Sequence, residues 1–346
     1  MKPRNVWAAP QQATIEEYFD REGYLLSELR ESDSIEAFSL VDNSLDFLST
    51  VDSAKASSFR QWTRKLYGSE WANTHQQLPF AEHGFSMLIR VKAEGKTHSI
   101  LFDTGNSPNG VVENSKRMGL NLSEIESIVL SHGHYDHSGG LLSAVRAINR
   151  IDLTVIVHDD MFAKRGVANQ DGRIRIYPEF PSRKMLSATQ LISNKQPLLI
   201  ADELALVTGE ISRQTSYEKG YLAHRVLVNE SWRPDPWIWD DRALIFHVKK
   251  KGLVIFTGCA HAGIINTIKY SQKLTGLDNV YAVIGGFHLA GKEGESRMKQ
   301  TIMEIKRINP KIVVPSHCTG WKAMCEIANQ LSGAFVWNSV GNRYII

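Results

Sequence analysis

Cysteine is scarce in this chain: Cys259, Cys318 and Cys325 are the only three among 346 residues. Three thiols cannot build a disulfide framework, and such sparing use fits a reducing compartment. No apolar run reaches the roughly 18 residues that a membrane-crossing helix needs. The N-terminal stretch MKPRNVWAAPQQATIEEYF also lacks the apolar core of a secretory signal. A cytoplasmic location without membrane attachment is therefore expected. Charge is thin as well, with a net of +3 and no dense Lys/Arg run, which gives a nucleic-acid groove little support. The 42% hydrophobic and 22% charged fractions suit a globular chain, long enough for one large domain or two ordinary ones.

Histidine is also sparse, at 12 residues, yet three fall together in His132-Gly133-His134-Tyr135-Asp136-His137. This loop follows the apolar run 125–130, which reads as a strand. Neutral imidazole and carboxylate are ligands that borderline divalent metals such as Zn²⁺ prefer. A strand ending near Leu130 can present alternate residues in one direction, so His132 and His134 can grip one ion. Asp136 and His137, on the following turn, can then reach a second.

The rest of the chain alternates strand and helix signals. Residues 1–34 read as an accessory segment with a helix start at Thr14-Ile15-Glu16-Glu17, and 35–346 as the main domain. Strands are expected at 37–41, 86–91, 99–102, 154–157, 244–248, 253–256, 280–284 and 312–314. Helices are expected at 44–67, 111–118, 139–148, 263–274, 295–308 and 321–331. Residues 163–240 are rich in turn formers and read as inserts and hairpins, with Trp232, Trp237 and Trp239 close together. Helices inserted between strands predict a layered α/β sandwich.

Polar, metal-competent residues recur where these strands end. Asp103 follows Ile100-Leu101-Phe102, and Cys259 and His261 follow Val254-Ile255-Phe256. His288 comes after 280–284, and His317 after Ile312-Val313-Val314. A sheet holds such positions rigidly while its loops vary, so several together form a constellation.

These motifs resemble those of the metallo-β-lactamase-fold superfamily. Phe102-Asp103-Thr104-Gly105 matches its first motif and His132-x-His134-x-Asp136-His137 its second. Gly258-Cys259 falls where the family usually places a bridging Asp and some members use Cys, and His317 matches its last metal histidine. Thr257-Gly258-Cys259-Ala260-His261-Ala262-Gly263, Gly285-Gly286-Phe287-His288-Leu289 and His317-Cys318-Thr319-Gly320 narrow the likeness. They resemble a subfamily labelled dihydropterin–ribofuranosylaminobenzene-phosphate synthase-like. The resemblance implies an αββα sandwich and a site for two metal ions. Zn²⁺ is the expected ion, with Fe and Mn as alternatives. His134, rather than Glu, argues against the oxygen-reducing diiron branch.

One departure stands out. The family's usual third histidine of the first metal has no counterpart, and Thr208-Gly209-Glu210-Ile211 carries a carboxylate there. Either His261 or Glu210 fills the place. The implied ligand set is then His132, His134 and His261 for one ion, and Asp136, His137, Cys259 and His317 for the other. Asp103 is expected to orient a ligand histidine, and Asp136 and His288 to act in catalysis. His83 is a further pocket candidate. His158, His224, His247, Cys318 and Cys325 read as structural residues. The expected activity is hydrolysis of a phosphoester or similar small anionic substrate. The alternatives are the synthase chemistry of the subfamily label and a noncatalytic metal or ligand sensor.

Overall fold

The computed structural model describes residues 28–53, 55–74 and 77–346. Its architecture follows from strands that are apolar on both faces. In Ala243–Val248, Leu244, Phe246 and Val248 point one way and Ala243 and Ile245 the other, and all are buried. Gly252–Thr257 repeats the pattern, with Val254 and Phe256 on one face and Leu253 and Ile255 on the opposite one. A strand with this period-2 arrangement must be covered on both sides.

Two sheets meet that demand. The first has the spatial order Gln190–Ser193, Thr154–Val157, Ser127–Val129, Lys96–Phe102, Ser86–Ala93, Ser34–Val41, Arg343–Ile345 and Ala56–Ser57. The second runs Leu198–Ile200, Ala205–Val207, Ala243–Val248, Gly252–Thr257, Val280–Gly286 and Ile312–Ser316, with Glu31–Ser32 pairing beside Ala243–Val248. Between them lies one apolar layer that joins Met87, Ile89, Ile100 and Phe102 to Leu244, Phe246, Val254 and Ile284. Phe59–Thr74, Gly110–Arg117 and Leu141–Ile148 cover the outer face of the first sheet through Trp62, Val111 and Leu141. Ile264–Thr275, Gly291–Ile308 and Trp321–Gln330 cover the second through Ile268, Ile302 and Ile327. The result is the αββα sandwich that the sequence predicts. Among the described residues, no helix is long and apolar enough to cross a membrane.

Each sheet contains a run of parallel strands. Lys96–Phe102 pairs in parallel with Ser127–Val129, which does so with Thr154–Val157. Gly252–Thr257, Val280–Gly286 and Ile312–Ser316 form the matching trio. The carboxyl ends of both trios open on one edge of the sandwich, where side chains from separate segments converge.

Most expected elements stand within a few residues of their predicted bounds, with two differences. The stretch 44–67 is not largely helical: its helix starts at Phe59, preceded by turns and the short strand Ala56–Ser57. Strand pairing starts at Glu31, inside the segment read as accessory. Residues 163–240 do hold hairpins. They build a third, small sheet from Ser231–Pro234, His224–Val228, Arg165–Ala168 and Ile174–Ile176. The helix start expected near Thr14 lies outside the described residues.

Helix Ile264–Thr275 shows how distant residues complete local structure. Its N-cap is Gly263, with φ 94°, and no local side chain caps it. The buried carboxylate of Glu218 instead accepts the backbone N–H of Ile265 (3.0 Å) and Asn266 (2.8 Å). Replacing Glu218 with Ala leaves both donors buried and unpaired, at about 1–3 kcal/mol of stability. Chemical denaturation of the two proteins measures that loss.

Candidate metal centre

The histidine loop leaves strand Ser127–Val129 and enters the short helix Tyr135–Ser138. Asp103, at the end of the neighbouring strand, fixes it. The fully buried Asp103 carboxylate accepts the Ser131 backbone N–H at 2.7 Å, the Ser131 hydroxyl at 2.7 Å and His137 Nδ1 at 2.7 Å. These bonds turn His137 Nε2 toward Cys259 Sγ, 3.1 Å away. The Ser131 hydroxyl also meets His132 Nδ1 at 2.9 Å, which leaves His132 Nε2 aimed elsewhere.

Each sequence-derived candidate can now be placed. Potential ligand atoms of His132, His134 and His261 lie within 4.8 Å of one another, and so do those of His132, His137 and Cys259. His83, Asp136 and His317 form another such group. Asp136 Oδ2 stands 3.3 Å from both His83 Nε2 and His317 Nε2. His288 is grouped with Cys259 and His261, its ring 4.4 Å from that of His261. Glu210 is engaged elsewhere, 3.2 Å from His158 Nε2 and 3.5 Å from Lys195 Nζ. Of the two candidates for the missing ligand, His261 is the one that stands with His132 and His134.

Burial and charge set the protonation states. Burial holds the His134 imidazole down, to about 3, and with help from neighbouring histidines it pushes His132 and His261 well below their usual value. These rings are neutral and keep lone pairs. Burial opposes charge on His137 too, but Asp103 and Asp136 outweigh it and push that ring up to about 9. Burial likewise opposes charge on Asp136, which His137, His317 and His83 nevertheless hold well below the carboxylate range. His83 is raised, chiefly by its bond to Asp136.

A divalent ion fits what these side chains lack. His132 Nε2, His134 Nε2 and His261 Nδ1 are buried without a hydrogen-bond partner, and His317 Nε2 faces the Asp136 carboxylate at 3.3 Å. Several unpartnered imidazole nitrogens beside carboxylate and thiol are costly in a dry interior. They are the donor types that Zn²⁺ takes.

The support around these residues escapes a reading by motif. Three consecutive residues, Asp240, Asp241 and Arg242, clamp the loops. Asp240 accepts the Gly133 N–H (2.8 Å), Asp241 accepts the Ala262 N–H (2.8 Å), and Arg242 Nε donates to the Leu130 carbonyl (3.0 Å). His317 is held by Asp42, which accepts its N–H at 2.7 Å, and by Asn43, whose Oδ1 meets its Nδ1 at 2.9 Å. In the sequence, Asp42-Asn43 signals only the end of a strand. Asp103, Ala260, His288 and His317 all adopt positive φ (61°, 51°, 41° and 47°), so strained backbone gathers where the side chains converge. Tyr177, Tyr221 and His224 make the aromatic wall: the Tyr177 and His224 rings lie 5.1 Å from His134, and the Tyr221 ring 5.2 Å from His261. Trp237 and Trp239 instead stack on each other, with Arg213 over Trp239.

With this geometry in place, similarity to known proteins can be stated. The sequence profile of the metallo-beta-lactamase superfamily matches residues 80–262. The chain belongs to that superfamily. It is 32% identical over 266 residues to the 7,8-dihydropterin-6-methyl-4-(beta-D-ribofuranosyl)-aminobenzene-5'-phosphate synthase of Methanocaldococcus jannaschii, covering 71% of this chain and 84% of the relative. An uncharacterised protein of the same organism is 33% identical over 273 residues, covering 78% and 95%. Among solved structures, a metal-dependent hydrolase of the beta-lactamase superfamily superposes with a TM-score of 0.66. It is 22% identical, with 89% of this chain and 98% of that one covered, a likeness of fold.

The Asp240 clamp is testable. Asp240 also receives the buried Arg165 guanidinium at 2.6 Å. Burial alone would raise the Asp240 carboxyl, but Arg165 outweighs it and holds it far below its ordinary value of 3.8. The contribution to stability is therefore full at neutral pH and disappears as pH falls through the depressed value. Asp240→Ala leaves the buried Arg165 with Asp235 alone, 3.3 Å away, and should cost about 3 kcal/mol at pH 7, the low end for a broken buried pair. The difference between the two proteins should shrink on acidification, as followed by thermal unfolding across pH.

Proposed function

We propose that this chain is a metal-dependent enzyme acting on a small phosphate-bearing molecule, with phosphoester hydrolysis as the leading reaction. The observation that carries the reading is the convergence of neutral His132, His134 and His261, each with one unpartnered ring nitrogen, beside His137, Asp136, His317 and Cys259. In the proposed arrangement His132, His134 and His261 hold one Zn²⁺. Asp136, His137, His317 and Cys259 hold a second. Ions so placed supply Lewis acidity toward a phosphoryl oxygen and make water a competent nucleophile near neutral pH.

The chain's own groups do the rest. Asp136, ionised and facing both His83 and His317, orients the nucleophile. His288 has a buried, unengaged Nδ1 and donates a proton to the leaving group. Its backbone carbonyl accepts from the Tyr221 hydroxyl (2.9 Å) and Arg297 (3.0 Å), so the strained residue is fixed in place. The sheet ends and the buried wall keep bulk water away from His132, His134 and His261.

A second reading is supported by the synthase relative and by the aromatic wall. Tyr177 and Tyr221 suit a flat heterocycle, and a pterin joined to a ribosyl-aminobenzene phosphate would present one. One assay separates the two. Phosphate released from an aryl phosphomonoester, or the phenol released from an aryl phosphodiester, supports hydrolysis, and a pterin-dependent product that keeps its phosphate supports the synthase. No turnover in either arm by protein carrying two ions would overturn both.

Replacing Asp136 and His137 together with Ala should remove one of the two ions and reduce turnover to background. Metal analysis of the purified variant alongside its kinetics checks this, and surviving activity would refute a two-metal mechanism. Asp103→Asn keeps the size of the side chain but loses the charge that orients His137. It should weaken metal affinity by about 10–100-fold, read by competition with a chromophoric chelator.

A further inference from the structure

We propose that Cys318 is a second thiolate ligand beside Cys259, making the ion-binding group at His317 sulfur-rich and selective for a thiophilic divalent ion. This rests on the metal reading above and adds a ligand to it. Potential ligand atoms of Cys259, His317 and Cys318 lie within 4.8 Å of one another. As a thiol, Cys318 donates to the Cys259 carbonyl oxygen at 3.5 Å, a weak bond that it gives up on ionising.

Backbone geometry explains how neighbours in sequence reach one site. His317 has φ 47° and opens the tight turn His317–Thr319, so two consecutive side chains turn toward Cys259 instead of to opposite faces. Space for the sulfur is left by Gly286, at the end of the adjoining strand. A Cβ on that glycine would stand 2.6 Å from Cys318 Sγ, closer than real Cβ atoms come. His317 Nε2, buried and 3.3 Å from Asp136 Oδ2, brings an imidazole with a carboxylate beside it to the same place. A cysteine that served only as a small apolar filler would sit among carbon atoms. Cys318 sits instead with a thiol and an imidazole.

The chemistry that follows is selectivity. Two thiolates with imidazole form a soft donor set that takes Zn²⁺, Cd²⁺ or Co²⁺ and discriminates against Mg²⁺ and Mn²⁺, which prefer oxygen. Even with the Asp136 carboxylate in the set, two sulfurs shift the preference away from Mn in the second position.

The test uses the full chain stripped with a chelator and titrated with Co²⁺ and separately Cd²⁺, reading near-ultraviolet sulfur-to-metal charge-transfer absorption. Cys318→Ala and Cys318→Ser should each lower the band by about half at equal bound metal, Cys259→Ser should do the same, and the double variant should abolish it. An unchanged band in both Cys318 variants would overturn the proposal. If those variants fail to fold, X-ray absorption of the zinc-loaded wild-type protein decides by counting sulfur neighbours. Two sulfurs on one ion support the proposal, and one or none overturns it. A wild-type protein that binds metal through one sulfur removes only this inference. One that binds no metal removes the proposed function as well.

Discussion

The whole site depends on one buried carboxylate. Asp103 is entirely shielded from water, yet it meets three donors: the Ser131 N–H, the Ser131 hydroxyl and His137 Nδ1. Those bonds offset the cost of burying it. They also decide which nitrogen of His137 points inward and, through Ser131, which nitrogen of His132 is left unpaired. Asp103 has φ 61°, so the strand turns sharply as it ends and delivers the carboxylate beneath the loop. With a side chain that could not accept at all three points, the imidazoles would have no reason to face one another.

The sandwich supplies what Asp103 cannot. Strands apolar on both faces can be satisfied only between a second sheet and a helical layer, and that packing sets two parallel trios edge to edge. Polar groups collected at the carboxyl ends then share a small volume, with the hydrophobic layer directly below them. The low pKa values of His132, His134 and His261 are the electrostatic consequence, because a dry surrounding disfavours their charged forms.

Much of this was legible in the chain. The strand ends carrying Asp103, His132, Cys259, His288 and His317 were visible because apolar runs stop abruptly at polar residues of a narrow set of types. The resemblance to a known fold then ordered them. What stayed hidden depends on contacts between distant segments. Asp240, Asp241 and Arg242 match no motif, and only the structure brings each against a different loop. Cys318 looked like a core thiol because sequence spacing cannot show that His317 turns with a positive φ. The stretch 44–67 has the composition of a helix over most of its length, but pairing of Ala56–Ser57 with Arg343–Ile345 claims part of it for a sheet. Glu210 matched the expected position in order along the chain, yet His158 and Lys195 lie beside it in space.

The donors are divided between the two halves of the molecule. Asp103 and His132 to His137 come from the first sheet, while Cys259, His261, His288 and His317 come from the second. Neither half carries a complete set. On the proposed metal reading, high-affinity capture of an ion would report that both sheets have formed and docked in register. A partly unfolded chain, holding one half of the claw, would let the ion go, so loading of the site would double as a proof of assembly.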